Sequence, residues 1–420
     1  MIAFVTLLLG LVTGTHTLEL LVGPGVAAVE LRFDGETVAR LEGEPWIVEH
    51  DFGAELAPHR LEAVAFDADG NELERAVQWV NLPRPSAEVS LVLDASADGR
   101  GSRARLSWES LAAVEPDRFA IALDGQPLEV SDPTEFELPP YDPQQLHFLR
   151  AEVDFGGTVS GVAELTFGGF YAEEVNSELM ALPITVEGRD PSLEELHGAF
   201  ESEGETLQAV ALDHGAAEVV VVRDLRAREQ LADMARSSAF VPIHFGRNTR
   251  TRFLWATATL RGDETRYRLF PASSELDLSR GRLLAHLVHL SWPGSGPESQ
   301  RLADSVAVAG LTAVRQNRRR SVVLVLGERA EDRSQLTPER VRRYLGALGV
   351  PLHVWSAVAD QWQGAGWGPV EDVSTIWKLE AAARSVRKGL ERQRLIWFDG
   401  THLPQRISLR RPIEGVELVR

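Results

Sequence analysis

Three continuous apolar stretches, AAEVVVVRD, SVVLVLG and PLHVWSA, most strongly constrain how this 420-residue chain can fold. Short apolar runs without alternation are typical of strands that are buried on both faces of a parallel sheet. Helix-like segments separate the runs, among them LRAREQLADMAR and TPERVRRYLGALG. A fourth run, RLIWFDG, follows a long helical segment and is predicted to be a further strand of the same sheet. The alternation predicts a doubly wound, Rossmann-like α/β domain over residues 181–420.

The residues before this region have a different pattern. Strand-length stretches with alternating polarity follow one another at short intervals, and turn residues such as Asp34-Gly35 and Asp124-Gly125 separate them. Aspartate and glycine tolerate the positive φ angles of tight hairpins. This pattern predicts two Ig-like β-sandwiches, over residues 17–84 and 85–178, with the proline-containing stretch PRPSAEVS as their linker.

The N-terminal stretch MIAFVTLLLGLVTGTHT is apolar from Ile2 to Val12. It is similar to a signal peptide, which we assign to residues 1–16 with a possible cleavage after Gly14, although no basic residue precedes the apolar run. The run is too short to span a bilayer, which requires about 20 residues. The interpretation predicts a secreted, periplasmic or cell-envelope protein without a transmembrane segment in the mature chain. The alternative is that this stretch forms a first β-strand.

The charge distribution excludes one class of partner for the front half of the chain. The net charge is −19. Residues 1–200 carry 36 acidic side chains against 11 arginines, a net charge of −25, whereas residues 201–420 carry 26 acidic and 32 basic side chains, a net charge of +6. Nucleic-acid binding requires clustered basic residues, so no nucleic-acid partner is expected. The absence of cysteine excludes disulfides and thiolate chemistry.

The stretches VVVVRDL, LADSVAVAGL, SVVLVLGERAEDRS and RRYLGALGVPLHVWSA resemble those of bacterial von Willebrand factor type A (VWA) domains of the VWFA-related group. The resemblance covers about residues 181–420. It implies a protein partner and a divalent cation, Mg²⁺ or Ca²⁺, at the carboxyl ends of the strands. The family supplies oxygen ligands from an Asp-x-Ser-x-Ser turn, from a threonine between two helices and from an aspartate after the central strand.

The first of these ligand motifs is only partly present in this chain. Asp224 occupies the position of the first aspartate, but Arg226 and Arg228 replace the two serines. Guanidinium groups offer no acceptor atoms and repel a cation. We therefore expect Arg226 to form an ion pair with Asp224 instead of leaving room for a metal.

The other two ligand positions are also altered. The threonine position falls near Ser299 or Gln300, and Gly327 stands in place of the last aspartate, with Glu328 beside it. A metal site, if one exists, would use Asp224, Ser299 and Glu328. The sequence predicts that there is no working metal site and no cofactor, which makes this a degenerate metal-ion-dependent adhesion site.

Five residues are candidate partner contacts, and two histidines have a spacing that can serve a metal. Arg226, Arg228, Trp292, Trp362 and Trp367 are candidate partner contacts, because exposed arginine and tryptophan often anchor protein interfaces. His286 and His289 lie three residues apart on a predicted helix, but zinc requires at least three protein ligands. Residues 318–320 are three consecutive arginines and are predicted to form a solvated turn.

Together these patterns predict a non-enzymatic protein that binds another protein. No nucleophile elbow, Walker loop or dinucleotide-binding motif occurs in the sequence. The alternatives are a cation-dependent adhesion module that uses Asp224 and Glu328, or, with less support, a hydrolase.

Overall fold

A computed structural model of the chain describes residues 2–6, 8, 10–83, 87–94, 102–110, 116–124, 126–142, 147–154, 160–167, 179–214, 216–237, 241–246, 249–257, 272–276, 282–290, 299–315 and 317–420. The chain forms two compact units. One unit combines Met1–Pro83 with Leu179–Arg420, and the other is Arg84–Glu178.

The first part of the larger unit is a β-sandwich. Its strands are β1 (Ile2–Phe4), β2 (Thr15–Val22), β3 (Ala28–Phe33), β4 (Glu36–Leu41), β5 (Ile47–Asp51), β6 (His59–Phe66) and β7 (Glu72–Val80). A three-stranded sheet of order β1-β2-β5 packs on a four-stranded sheet of order β4-β3-β6-β7. Strand formation begins at Ile2, inside the predicted signal peptide, and Ile2, Leu8 and Val12 are buried in the core.

The smaller unit is a second β-sandwich. Its strands are β8 (Ala87–Asp94), β9 (Arg103–Ser110), β10 (Arg118–Leu123), β11 (Gln126–Leu128), β12 (Phe136–Glu137), β13 (His147–Asp154) and β14 (Ser160–Phe167). They form sheets of order β12-β9-β8 and β11-β10-β13-β14, the same pairing scheme as in the first sandwich. Both sheets supply apolar residues to one core, including Leu106 of β9 and Leu149 of β13.

An Asp–His pair occupies the same place in both sandwiches. Asp34 (φ 51°) follows β3 and contacts His59 Nδ1 at 2.9 Å; Asp124 (φ 50°) follows β10 and contacts His147 Nδ1 at 2.7 Å. His59 lies two residues before Leu61, which pairs with Phe33 at the end of β3. His147 lies two residues before Leu149, which pairs with Leu123 at the end of β10. Asp34 and Asp124 are therefore structurally equivalent, which indicates an internal repeat.

The second Asp–His pair gives the smaller unit a predicted pH dependence. Burial alone lowers the pKa of His147, but its hydrogen bonds to the Asp124 carboxylate and the Asp142 carbonyl outweigh burial and raise the pKa above its usual range. A raised folded-state pKa contributes stability below the unfolded value of about 6.5, and this contribution is lost as pH rises through the folded value. We therefore expect more protection of β10 and β13 amides from hydrogen exchange at about pH 5.5 than at about pH 8.5 in the full chain. His147→Gln should remove the difference, and equal protection of the wild type at both values would contradict the prediction.

A small β layer follows in the larger unit and is completed by the end of the chain. Its elements are β15 (Leu179–Val186), α1 (Leu193–Leu196), β16 (Phe200–Ser202), β17 (Glu205–Leu207), β18 (Ala209–Asp213), β25 (Gln393–Asp399), β26 (Ile407–Leu409) and β27 (Val416–Leu418). The sheets have orders β18-β25-β15-β27 and β17-β16-β26. The prediction that RLIWFDG joins the parallel sheet is wrong, because this strand is β25 and pairs antiparallel with β15 and β18.

A six-stranded sheet with helices lies between β18 and β25 in sequence. Its elements are β19 (Ala217–Arg223), α2 (Ala227–Ser237), β20 (Thr249–Trp255), β21 (Ala272–Leu276), α3 (Leu283–His289), α4 (Leu302–Val314), β22 (Arg319–Leu326), α5 (Pro338–Ala347), β23 (Leu352–Ser356), β24 (Glu371–Asp372) and α6 (Ile376–Arg392). The strand order is β21-β20-β19-β22-β23-β24, and all pairs are parallel except β20 with β21. Helices α2, α3 and α6 contribute to the core on one face and α4 and α5 to the core on the other.

The first sandwich packs against the α5 side of this sheet. Leu56 of the sandwich belongs to the same buried cluster as Tyr344 of α5. The Tyr344 hydroxyl donates a hydrogen bond to the Asn81 carbonyl over 2.8 Å, and the Gln405 amide donates to the Pro58 carbonyl over 2.7 Å. The sandwich that was predicted as a separate domain therefore shares a core with the parallel-sheet region.

Candidate functional site

Asp224 lies at the carboxyl end of β19, in the middle of the parallel sheet. Its backbone amide donates to the Val325 carbonyl over 2.8 Å and thus extends the pairing of β19 with β22 by one residue. Val219 to Val222 are fully buried, and the Asp224 side chain is 0% exposed. Open α/β sheets bind ligands at this edge, and the VWA resemblance places the family's cation at the same edge.

Amide groups donate hydrogen bonds to both oxygens of the Asp224 carboxylate. Oδ1 accepts hydrogen bonds from the Arg226 backbone amide over 2.9 Å and from the Gln300 side-chain amide over 2.8 Å. Oδ2 accepts one from the Gly327 backbone amide over 3.2 Å. We call these four residues the Asp224 cluster. A carboxylate has about four acceptor positions, so most of its capacity for binding a cation is already used.

Both polar atoms of the Gln300 carboxamide form hydrogen bonds. Its Oε1 accepts from the Leu225 backbone amide over 2.8 Å, while its Nε2 donates to Asp224, and the residue is only 1% exposed. The Arg333 backbone amide donates to the Gln300 carbonyl over 3.0 Å. The carboxamide bridges two residues of the turn after β19, which holds that turn closed over the end of the strand.

Two carboxylates, those of half-buried Asp332 and buried Asp304, fix the loop that carries Arg333 to helix α4. Asp332 accepts hydrogen bonds from the first backbone amides of α4, those of Leu302 (2.8 Å) and Ala303 (3.1 Å). In return, Asp304 of α4 accepts from the Gln335 and Leu336 amides of the loop. Amides at a helix N-terminus favour a negative partner. The reciprocal contacts make the surroundings of Gln300 rigid.

Gly327 leaves no room for a side chain at the position where the family has its last aspartate. A Cβ atom added there would lie 2.4 Å from both the Ala227 nitrogen and the Arg226 carbonyl carbon. The Gly327 carbonyl accepts the indole N–H of Trp362 over 2.8 Å. The turn after β19 thus rests directly on Gly327, and an aspartate could not be accommodated unless the backbone moved.

The positive charge of Arg226 lies further from the Asp224 carboxylate than the amide donors do. The Arg226 guanidinium is 3.8 Å from Oδ1 with a side chain that is 22% exposed, so the expected ion pair is present but looser than the amide contacts. Behind the carboxylate, Arg223 stacks on Trp255 at 4.5 Å and donates to the Leu290 carbonyl over 2.8 Å. Burial, reinforced by the positive charge of Arg228 and opposed by the Asp224 carboxylate, lowers the pKa of Arg223 to about 10.

The three ligands of the alternative metal site do not share one environment. Asp224 is fully buried, Ser299 is half-buried next to Gln300, and Glu328 is exposed. Within the described part of the chain, no group of three or more histidine or acidic side chains is placed to hold a metal ion. His286 is half-buried and His289 exposed on α3.

The predicted tryptophan contacts are wrong for two of the three positions. Trp362 and Trp367 are 5% and 3% exposed and belong to the core on the α4 and α5 side of the sheet. Their glycine-rich loop folds back onto α5, where Arg342 donates to the Gly366 carbonyl. Trp292 lies outside the described residues. Arg228 is exposed and Arg226 partly exposed, so these two remain candidate contacts.

Gln300 is the residue whose importance the sequence did not reveal. The sequence pattern places it only at one of two registers for the missing threonine. The signal that points to it is an amide side chain directly before helix α4 in a chain that also lacks the two serines and the last aspartate. A carboxamide can replace a cation as the group that bridges a carboxylate to neighbouring backbone, because it both donates and accepts.

Comparisons with known proteins find only weak likenesses, among them to fibronectin-III modules. No family model matches the chain, and neither does any curated protein. The fibronectin(III)-like modules of Clostridium thermocellum CbhA are 16% identical, over 19% of this chain and 93% of that one, with a TM-score of 0.18. The central fibronectin-III array of RIM-binding protein is 11% identical, over 44% of this chain and 74% of that one, with a TM-score of 0.25.

A third solved structure is of a carbohydrate-binding protein. The Bacteroides ovatus mixed-linkage glucan utilization locus protein SGBP-B, in complex with a mixed-linkage heptasaccharide, is 13% identical over 49% of this chain and 52% of that one, with a TM-score of 0.12. Because all three TM-scores lie below 0.5, these likenesses assign no function to the chain. None of the helices among the described residues is long and apolar enough to cross a membrane.

Proposed function

We propose that the chain is a non-enzymatic protein-binding molecule whose VWA-like region, residues 181–420, works without a cation. The observation that carries this proposal is the closed Asp224 cluster, in which amides of Arg226, Gln300 and Gly327 take the positions around the carboxylate. A cation would have to displace the Gln300 amide and approach the Arg226 guanidinium. At intermediate dielectric, that repulsion costs on the order of several kcal/mol.

The partner surface would lie at the carboxyl edge of the parallel sheet. Arg226 and Arg228 are accessible there, in the turn that Gln300 holds closed. A rigid turn loses little conformational freedom on binding, which favours affinity. The proposed partner is another protein, and fold alone does not identify it.

Titration calorimetry with Mg²⁺, Ca²⁺ and Mn²⁺ tests the proposal. We expect no saturable heat for the wild type and the same trace for Asp224→Ala, because the carboxylate is already satisfied by internal donors. Saturable binding that disappears in Asp224→Ala would instead establish the cation-dependent alternative with Asp224 and Glu328. Any protein captured by the chain should bind equally well in chelator and in Mg²⁺.

A further inference from the structure

The apolar N-terminal segment contacts both sheets of the first sandwich. Strand β1 pairs antiparallel with β2 through Ile2 with Val22 and Phe4 with Leu20. Beyond β1 the chain passes to the other sheet, where Leu8 and Val12 are buried at 6% and 3% exposure in the shared core. Val5, between these contacts, is 51% exposed. The segment therefore has an inner side and an outer side, as a structural element does.

Two buried carboxamides on β7 and just after it are used to hold this segment. The Leu8 amide donates to Gln78 Oε1 over 2.8 Å, and Gln78 Nε2 donates to the Thr6 carbonyl over 3.2 Å. The Val12 amide donates to Asn81 Oδ1 over 2.7 Å, and Asn81 Nδ2 donates to the Val12 carbonyl over 3.0 Å. Both amide side chains are 1% exposed. Removal of the segment would leave several buried donors and acceptors without partners, and each unpaired buried group costs free energy.

The second sandwich shows what place this segment fills. There, β8 is the edge strand next to β9, with pairs from Ala87–Ser110 to Asp94–Arg103. In the first sandwich the same place, at the edge next to β2, belongs to β1. Without residues 2–4, this sheet would be reduced to the pair β2-β5, and a two-stranded sheet is only marginally stable by itself.

The segment also reaches the parallel-sheet region. Leu11 packs against the buried cluster that contains Tyr344 and Val341 of α5. Asn81, which clasps Val12, accepts the Tyr344 hydroxyl on its backbone carbonyl over 2.8 Å. Asn81 therefore both holds the segment and attaches the sandwich to α5.

We propose that the described residues of this segment, 2–6, 8 and 10–12, are a permanent clasp of the folded protein, which completes the first sandwich and joins it to α5, and are not a leader that is removed. Cleavage after Gly14 would cut away the edge strand, three core side chains and the partners of two buried amides.

Point substitutions within the apolar run distinguish a clasp from a leader. We expect Leu8→Asp and Val12→Asp to lower the Tm of the full chain by roughly 8 °C or more, because each places a carboxylate in the core. Val5→Asp is the matched control, and its exposed position should leave the Tm within about 1 °C. If all three variants melt like the wild type, the segment is not part of the fold and the proposal fails.

Two measurements on the unmodified chain keep the proposal testable if the core variants do not fold. The amides of Leu8 and Val12 should exchange with solvent at least about 1,000-fold more slowly than unstructured amides, since both donate to buried acceptors. The intact mass of the protein isolated from its native source should include residues 2–12. Unprotected amides, or a folded native protein that begins at residue 15, would overturn the proposal.

Discussion

Replacing Gly327 with aspartate is expected to destabilise the protein instead of restoring a cation site. The new Cβ would lie 2.4 Å from backbone atoms of both Arg226 and Ala227, and these atoms cannot move without opening the turn after β19. Gly327→Ala carries the same steric conflict without the charge. We expect each substitution to lower the free energy of unfolding by about 3 kcal/mol, at the upper end of overpacking effects. Urea denaturation, followed by tryptophan fluorescence, measures it.

A second glycine provides the matched control for this substitution. Gly389 lies within α6, and a Cβ added there would meet nothing within 4 Å. Gly389→Ala should stabilise the protein by about 0.5–1 kcal/mol through helix propensity. If Gly327→Asp is as stable as the wild type and gains saturable Mg²⁺ binding, the closed geometry of the Asp224 cluster is incorrect.

Asp224→Ala is expected to destabilise the protein strongly whether or not a divalent cation is present. The substitution leaves the Arg226, Gln300 and Gly327 amides without their acceptor inside a buried site. Each unsatisfied buried group costs about 1–3 kcal/mol, and partial relaxation makes about 3 kcal/mol a reasonable total. In an empty cation site the opposite holds, because there an isolated buried carboxylate is itself unfavourable. Thermal melting in chelator and in Mg²⁺ separates the two cases.

Glu328→Ala is the control for the aspartate substitution. Glu328 was the other carboxylate of the alternative metal site, and its side chain is exposed. Its removal should change stability by less than about 0.5 kcal/mol in either buffer. A stabilising effect of Asp224→Ala in chelator would mean that Asp224 awaits a ligand.

The sequence located the candidate site but did not reveal its state. A buried strand that ends at Asp224 is visible as an unbroken valine run, because local hydrophobicity determines it. The groups that satisfy the carboxylate are not local: Gln300 lies 76 residues and Gly327 103 residues further along the chain. Pattern analysis aligns such positions only approximately, so it showed which ligands were missing without showing what replaces them.

Some charged side chains are buried although their residue type predicts exposure, because groups from distant elements form hydrogen bonds with them. Arg320 was predicted in a solvated turn, yet it is buried in β22, where its guanidinium donates to the Leu348 and Gly349 carbonyls after α5. Burial lowers the pKa of Arg320 to about 9. Carbonyls at a helix C-terminus favour a positive charge, a compensation that no local pattern encodes.

The misassigned strand β25 has a similar cause. An apolar run of this length fits a central strand of either sheet type, and only its neighbours decide between them. Here the neighbours are β15 and β18, which precede the parallel sheet in sequence, so the run closes an earlier layer.

This closure determines the order in which the chain can be assembled. Ile184 pairs with Arg394, which is synthesised 210 residues later. Closing so long a loop from an unfolded chain carries an entropic cost that rises with its length, and non-local pairing is slow. Once the parallel-sheet region has folded, its compact body brings the end of β18 and the start of β25 together, and α6 passes directly into β25. In the described residues, β15 and β18 pair with β25 and β27 alone, so their sheet can be completed only after the whole parallel-sheet region has been synthesised.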